Sequence, residues 1–233
     1  MPRLYLLELF AGKRSVSNAL RRCSIGRALG DNFKLLSVDV GPKFAPTACV
    51  DVNRWHFRCD LDFFLGGRRP SDVVVVHASP PCKMYSRART TGGPRDLRGA
   101  SKNVRSAIKI IGYANPTFWT LENPATGLLK DMPFMRKLER YMNTTSYCKW
   151  GFGYKKQTAI WSNIPGLQLP VCDSQTPCAI KRKHGRHLMT AQSGDSSDGT
   201  PGSGSGEAVY GLPPRLVRYL FTRGLECAAS RCS

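Results

Sequence analysis

Acidic side chains are scarce in this chain: 16 Asp and Glu stand against 35 Lys and Arg, a formal net charge of +19. Such a field favours a polyanionic partner and fast, salt-sensitive association, and nucleic acid is the expected class. Long apolar runs are also missing. No segment approaches the ~20 residues that a membrane span requires, so a soluble protein with no membrane partner is expected. No targeting segment is apparent ahead of the first apolar run, and the nine cysteines are an odd number, which argues against a secreted disulfide framework. Reduced thiols in a cytosolic or nuclear compartment are expected instead. The terminal Ser230-Arg231-Cys232-Ser233 does not fit a prenylation box, and no internal repeat is visible.

What the chain does contain is alternation. Its 233 residues suit one α/β domain with a small appendage. Leu4 to Phe10 reads as a buried strand, Ala11-Gly12 as a turn, and Ser15 to Arg22 as a helix. Further strands are expected at Leu35–Val40, Ala48–Val52, Val73–Ala78 and Phe118–Leu121. Val104, Ala107, Ile108, Ile111 and Ala114 recur at helical spacing between the last two. This order predicts an α/β fold with a doubly wound, mostly parallel sheet. Pro133 to Met142 reads as an amphipathic helix, and Thr145–Trp150 with Thr158–Trp161 as an antiparallel pair around Gly151-Phe152-Gly153. Ser193 to Gly206 reads as a flexible connector, and Pro213-Pro214 opens a final helix through Leu216, Val217, Leu220 and Phe221.

The chemistry sits at strand ends. Ser79-Pro80-Pro81-Cys82 follows the run Val73–Val76, which places a cysteine at the sheet edge where open α/β folds bind ligands. Glu122-Asn123-Pro124 ends the next strand and supplies a carboxylate at the same edge. Gly12 closes the first strand's turn, and Asp39 and Asp51 end the next two strands. Acids so placed can bind a ribose diol and an adenine amino group, which points to a nucleoside cofactor.

Taken in order, Glu8-Leu9-Phe10-Ala11-Gly12, Asp39, Asp51, Ser79-Pro80-Pro81-Cys82 and Glu122-Asn123-Pro124 resemble the DNA (cytosine-5)-methyltransferase family, and in particular its compact members from bacteriophages and large viruses. The resemblance covers residues 4 to about 163 and resumes at the last helix. It implies the class I S-adenosylmethionine-dependent fold, that cofactor, and methylation of cytosine C5 in double-stranded DNA. It further implies that Cys82 adds to C6 and that Glu122 assists at N3, with the target base flipped out of the duplex. Glu8, Phe10, Ala11, Gly12, Asp39, Asp51 and Pro80 would hold the cofactor. Ser79, Pro81, Arg87, Arg89, Asn123, Lys155 and Lys156 would meet the substrate, the two arginines through phosphates from a loop that Gly92-Gly93 lets close.

The chain departs from the family in three places. Lys13-Arg14-Ser15 stands where further glycines are usual, Tyr154-Lys155-Lys156-Gln157-Thr158 replaces a Gln-x-Arg-x-Arg pattern, and Tyr210-Gly211-Leu212-Pro213-Pro214 replaces a Gly-Asn element. The domain plan that follows is a cofactor-binding catalytic domain over 1–165, a short basic recognition segment and linker over 166–206, and a returning helix over 207–233, as a monomer. Cys172, Cys178, His184 and His187, with Cys148 as a further candidate, have zinc-ligand chemistry. Their spacing does not match the tight pairs of common zinc fingers, so the expectation is a basic DNA-contacting loop with incidental thiols and no metal. Two alternatives remain open: an RNA (tRNA) cytosine-5 methyltransferase using the same chemistry, and a catalytically silent nucleic-acid-binding protein on the same scaffold.

Overall fold

A computed structural model describes residues 2–87, 89, 93–189 and 211–230. The expected connector over 193–206, Gly92 and Tyr210 lie outside the described residues. The elements are β1 (Leu4–Leu9), α1 (Ser15–Arg22), α2 (Ser24–Leu29), β2 (Phe33–Asp39), β3 (Ala48–Cys49), α3 (Phe57–Phe64), β4 (Val73–Ala78), α4 (Leu97–Ala114), β5 (Phe118–Pro124), β6 (Met142–Ser146), β7 (Gln157–Ser162), α5 (Ala179–His184) and α6 (Pro214–Ala229). The sheet order is β3-β2-β1-β4-β5-β7-β6. Strands β1 to β5 pair in parallel, and β7 runs antiparallel to both β5 and β6. The chain winds outward from β1 to β3 and then returns to β4, so the order switches between β1 and β4. A crevice opens at the carboxyl ends there in folds of this kind.

The central strands are apolar on both faces because both faces are covered. Leu4, Leu6, Val75 and Phe118 face one cluster with Val16 and Leu20 of α1 and Leu216, Val217, Leu220 and Phe221 of α6. Leu7, Leu9, Val76, Ala78 and Leu121 face the other, with Leu61 of α3 and Val104, Ala107 and Ile110 of α4. Phe118 and Phe221 meet edge to face at 5.5 Å. Gly224 lets α6 approach β5 closely, since a Cβ there would stand 2.6 Å from the Phe118 ring. Along β1 the period-2 alternation that sends Leu4 and Leu6 to the α1/α6 side also sends Glu8 there. Register then sets Glu8 opposite His77 of β4 and His77 opposite Thr120 of β5.

Several expected boundaries move. β1 stops at Leu9 because Phe10 turns into the left-handed region at φ 56°. β3 is only Ala48–Cys49, because its pairing with β2 lasts for just Val38 and Asp39. Pro133–Tyr141 winds as tight 3-10 turns rather than as the expected α-helix; among these residues only Met135 is buried, too narrow an apolar face to hold a regular helix. The antiparallel pair is Met142–Ser146 with Gln157–Ser162, and Tyr147–Trp150 forms a 3-10 turn ending at Gly151 with φ 97°. The short helices α2 and α3 were not anticipated, although Phe57, Leu61 and Phe64 carry helical spacing. Among the described residues no helix is long and apolar enough to cross a membrane.

Candidate active site

A cavity of about 510 Å3 opens at the carboxyl ends of β1, β2, β4 and β5. Its walls include Glu8, Phe10, Ala11, Gly12, Asp39, Asp51, Ser79, Pro80, Pro81, Cys82, Glu122 and Lys156. Most of the residues singled out in the sequence are therefore brought to one place. Arg87, Arg89, Asn123 and Lys155 do not line it. Arg87 pairs with Asp131 at 3.1 Å on the surface, Arg89 donates to the Gly93 carbonyl at 2.7 Å, and Lys155 is exposed. Asn123 is buried behind the wall, where its side-chain amide donates to the Pro80 carbonyl at 2.9 Å and ties the end of β5 to the loop after β4.

The loop after β1 is built by backbone strain. Phe10, Gly12 and Arg14 all have φ between 46° and 56°, and the two that are not glycine adopt a conformation that costs free energy. Two carboxylates hold it in place. The Oε1 and Oε2 of Glu8 accept from the Val16 and Ser17 amides at 3.1 and 3.2 Å, satisfying the first turn of α1. Glu8 is 1% exposed, and burial holds its carboxyl above the usual range against those hydrogen bonds. Its oxygens thus serve helix α1, whatever else the side chain does. Asp39 accepts from the Gly12 amide at 2.9 Å and from the Gly41 amide at 2.7 Å, joining the loops after β1 and β2. Asp51 accepts from Asn53, through backbone and side chain, at 2.9 and 3.1 Å.

Cys82 is half-buried in the turn after β4, its carbonyl accepting from the Tyr85 and Ser86 amides. Tyr85 is wholly buried and its hydroxyl meets Ser101 of α4 at 3.2 Å, which anchors that turn on the helix. Burial pushes the Cys82 thiol up, the Glu122 carboxylate pushes it further, and the Lys156 ammonium opposes both. Glu122 is 5% exposed, and its Oε1 accepts from the Tyr147 hydroxyl at 3.2 Å and pairs with Lys156 Nζ at 3.4 Å. The ammonium also lies 4.7 Å from the centre of the Tyr147 ring.

His77 and Tyr147 escaped the sequence reading. The imidazole of His77 bridges Thr120 Oγ1 and Ser79 Oγ, both at 2.8 Å, and complete burial lowers its pKa to about 4, so it is neutral and fixes the Ser79 side chain. Its signal was a single polar residue breaking the apolar run of β4. Tyr147 lay hidden in a segment read as strand. A further surprise concerns the thiols: Cys148, Cys172, Cys178 and His187 bring one ligand atom each within 4.8 Å of one another, whereas His184 stands outside this group. The expectation of incidental thiols in a loop does not describe this arrangement.

A sheet ordered 3-2-1-4-5-7-6 with β7 reversed, and a cleft at the switch between β1 and β4, define the chain as an α/β protein of the Rossmann-like methyltransferase fold. The resemblance to the DNA (cytosine-5)-methyltransferase family, read from the motifs, is borne out by a relative. The "Probable DNA (cytosine-5)-methyltransferase" of Frog virus 3 (isolate Goorha) is 26% identical over 229 residues, spanning 91% of this chain and 96% of that protein. No family model matches the chain. Two solved structures are more distantly similar. One is a protein assigned as a DNA modification methyltransferase encoded within an E. coli prophage (14% identity, 68% of this chain, 46% of that one, TM-score 0.47). The other is the Entamoeba histolytica methyltransferase EhMeth (12% identity, 69% of this chain, 53% of that one, TM-score 0.44). The chain spans about half the length of these two solved proteins, and the argument below makes no use of them.

Proposed function

We propose that the protein is an S-adenosylmethionine-dependent DNA (cytosine-5)-methyltransferase with Cys82 as nucleophile and Glu122 as the acid at N3. One observation carries the reading: Cys82 and Glu122, which follow and end the neighbouring parallel strands β4 and β5, line the same cavity as Gly12, Asp39 and Asp51. The donor set suits a nucleoside cofactor. A Cβ at Gly12 would meet nothing within 4 Å, which leaves open space above the loop. Val40, 69% exposed, stands with Phe44, Val52 and Pro80 as apolar wall beside Asp39 and Asp51, as a flat ring with an amino group and a diol requires. When bound, the cofactor supplies an electrophilic methyl group.

Cytosine C5 is a weak nucleophile, so the Cys82 thiolate first adds to C6 and makes C5 enamine-like. Glu122 shares its proton with N3 as charge develops there. C5 would then take the methyl group that the cofactor supplies, the methyl–sulfur bond breaking with its electron pair left on sulfur; the C5 proton leaves to a base, and the Cys82–C6 bond breaks to restore the thiolate. The protein's own electrostatics time the first step. Burial and the Glu122 charge favour the Cys82 thiol, and the Lys156 ammonium favours the thiolate. Passing the thiol proton to N3 through Glu122 would leave Cys82 a thiolate, which the Lys156 ammonium favours. Lys156 thus has a role in tuning both groups, and Asn123 and His77 hold Pro80 and Ser79 in position around the thiol. The net charge of +19 provides the attraction for duplex DNA. The segment 166–206 is the proposed recognition element, 1–165 the catalytic domain and 207–233 the returning helix, in a monomer.

Purified protein incubated with radiolabelled S-adenosylmethionine and double-stranded DNA, with tRNA in parallel, tests this. Label in 5-methylcytosine of DNA is expected, and Cys82→Ala should lose transfer by several orders of magnitude while retaining DNA binding. Equal activity in that variant would sink the mechanism. Label confined to tRNA would transfer the same chemistry to RNA, and cofactor binding without transfer to either would identify a silent scaffold.

A further inference from the structure

The group Cys148, Cys172, Cys178 and His187 lies apart from the candidate active site and forms its own small buried cluster, with Ile180 packed against it. Three chain segments build it. Cys148 sits in the 3-10 turn after β6, Cys172 in the loop after β7, Cys178 at the N-cap of α5, and His187 just past that helix. The three cysteines are 6%, 0% and 2% exposed. Thiols so buried and so close gain little from hydrophobic packing alone, because Ile180 is the one partly buried apolar side chain packed against them among the described residues.

The sulfur–nitrogen distances are those of a coordination sphere. In a tetrahedron with Zn–S of about 2.3 Å and Zn–N of about 2.0 Å, sulfur and nitrogen stand about 3.5 Å apart and two sulfurs about 3.8 Å apart. His187 Nε2 lies 3.6 Å from Cys172 Sγ and 3.4 Å from Cys178 Sγ, and the whole set fits within 4.8 Å. The sulfurs are also supported as thiolates should be. The Cys178 amide donates to Cys172 Sγ at 3.3 Å, and the Lys181 amide donates to Cys178 Sγ at 3.4 Å. Lys149 and Lys181 donate to the carbonyls of Pro177 and Asp173, which keeps two cations beside a site that three thiolates and one divalent ion would leave at net −1.

We propose that these four residues bind one structural Zn2+. Three Zn–S bonds and one Zn–N bond form, and three thiol protons leave to solvent. With four protein ligands the sphere is closed to substrate water, which makes the role architectural rather than catalytic. The ion ties the segment from Cys172 to Met189 onto the turn that carries Tyr147, and Met189 in turn bridges to Tyr154. This site stands independently of the proposed methyl transfer, and its test reads metal alone.

Full-length protein expressed with zinc and purified without chelator should carry about one zinc per chain by elemental mass spectrometry. Exchange for Co2+ should give the intense visible bands of a tetrahedral ion together with thiolate-to-metal charge transfer in the near ultraviolet. Cys178→Ser and His187→Ala should lose both signals, and His184→Ala should keep both. Should the ligand variants fail to fold, the Co2+ spectrum of the unaltered protein still decides, and His187→Cys, a four-thiolate sphere, should retain metal. Negligible zinc, an octahedral Co2+ spectrum, a Cys172–Cys178 disulfide in the purified protein, or loss of metal in His184→Ala would each overturn the proposal.

Discussion

Part of the acid sensitivity of this fold should trace to His77. Its folded pKa is lowered to about 4 by burial, against an ordinary value of 6.5. A histidine depressed in the folded state binds fewer protons folded than unfolded between those two values, so its contribution is complete above 6.5 and disappears as pH falls toward 4. Two-state linkage with these values gives a loss of about 2 kcal/mol between pH 7.5 and pH 5, rising to about 3 kcal/mol by pH 4. Urea unfolding followed by tryptophan fluorescence at pH 7.5 and pH 5 measures it. The comparison is with His77→Gln, which cannot titrate; its stability at pH 7.5 will be lower because the bridge between Thr120 and Ser79 is cut. Other titrating groups contribute equally to both proteins, so the difference between their pH dependences isolates His77. If wild type and variant lose the same stability within about 0.5 kcal/mol, the imidazole is not held neutral by burial and the reasoning fails.

Asp72 offers a contrast between two ion pairs. Burial would raise its carboxyl, but the Arg69 and Arg3 amides and their guanidinium groups hold it well below the usual range. Asp72→Ala should therefore cost about 2 kcal/mol or more in urea unfolding, whereas Asp131→Ala, breaking the exposed pair with Arg87, should cost less than about 0.5 kcal/mol. At the candidate nucleophile, Glu122→Gln should speed iodoacetamide labelling of Cys82 at pH 7.5 several-fold and Lys156→Met should slow it, because the first removes a charge that raises the thiol and the second one that lowers it. Peptide mass spectrometry separates Cys82 from the exposed Cys49 and Cys59, and equal rates in the three proteins would refute the assignment of these charges.

The sheet was legible in the sequence because a parallel sheet covered on both faces writes its strands as near-continuous apolar runs, as Leu4–Leu7 and Val73–Val76 are. Strand ends were legible too, since the change from apolar residues to Ser79, Asp39 and Glu122 marks where the chain leaves the core. What the sequence hid depends on partners far away along the chain. Phe10 and Arg14 adopt positive φ although neither residue type announces it; the fixing comes from Glu8 and Asp39, which grip the loop from two other elements. Glu8, a cofactor contact by the family resemblance, lines the cavity, and the start of α1 also takes both its oxygens. The spacing of the thiols along the chain did not announce their cluster either: Cys148 meets Cys172 because the chain returning after β7 bonds to β6, where Thr145 and Ser146 donate to the Pro170 carbonyl and Ser146 Oγ accepts from the Cys172 amide.

The antiparallel pairing of β7 with β5 and of β6 with β7 explains how the acid at the end of β5 gets its neighbours. In a wholly parallel sheet, the strand next to β5 would present its own carboxyl end at the active edge and bury its amino end on the far side. Because β7 is antiparallel to β5, with Pro124 opposite Thr158, the residue just before β7 arrives at that edge. Lys156 is that residue. Since β6 is antiparallel to β7, its carboxyl end arrives there as well, delivering Tyr147 immediately after Ser146. The Tyr147 amide donates to the Lys156 carbonyl at 3.1 Å, which locks the two arms together before their side chains reach Glu122. One strand reversal therefore supplies both the cation and the hydroxyl that control the carboxylate, and it places Cys148 one residue beyond the hydroxyl. The electrostatics at Glu122 and the position of Cys148 are consequences of the same topological step, so anything that loosens the turn from Tyr147 to Trp150 disturbs the partners of the proposed acid.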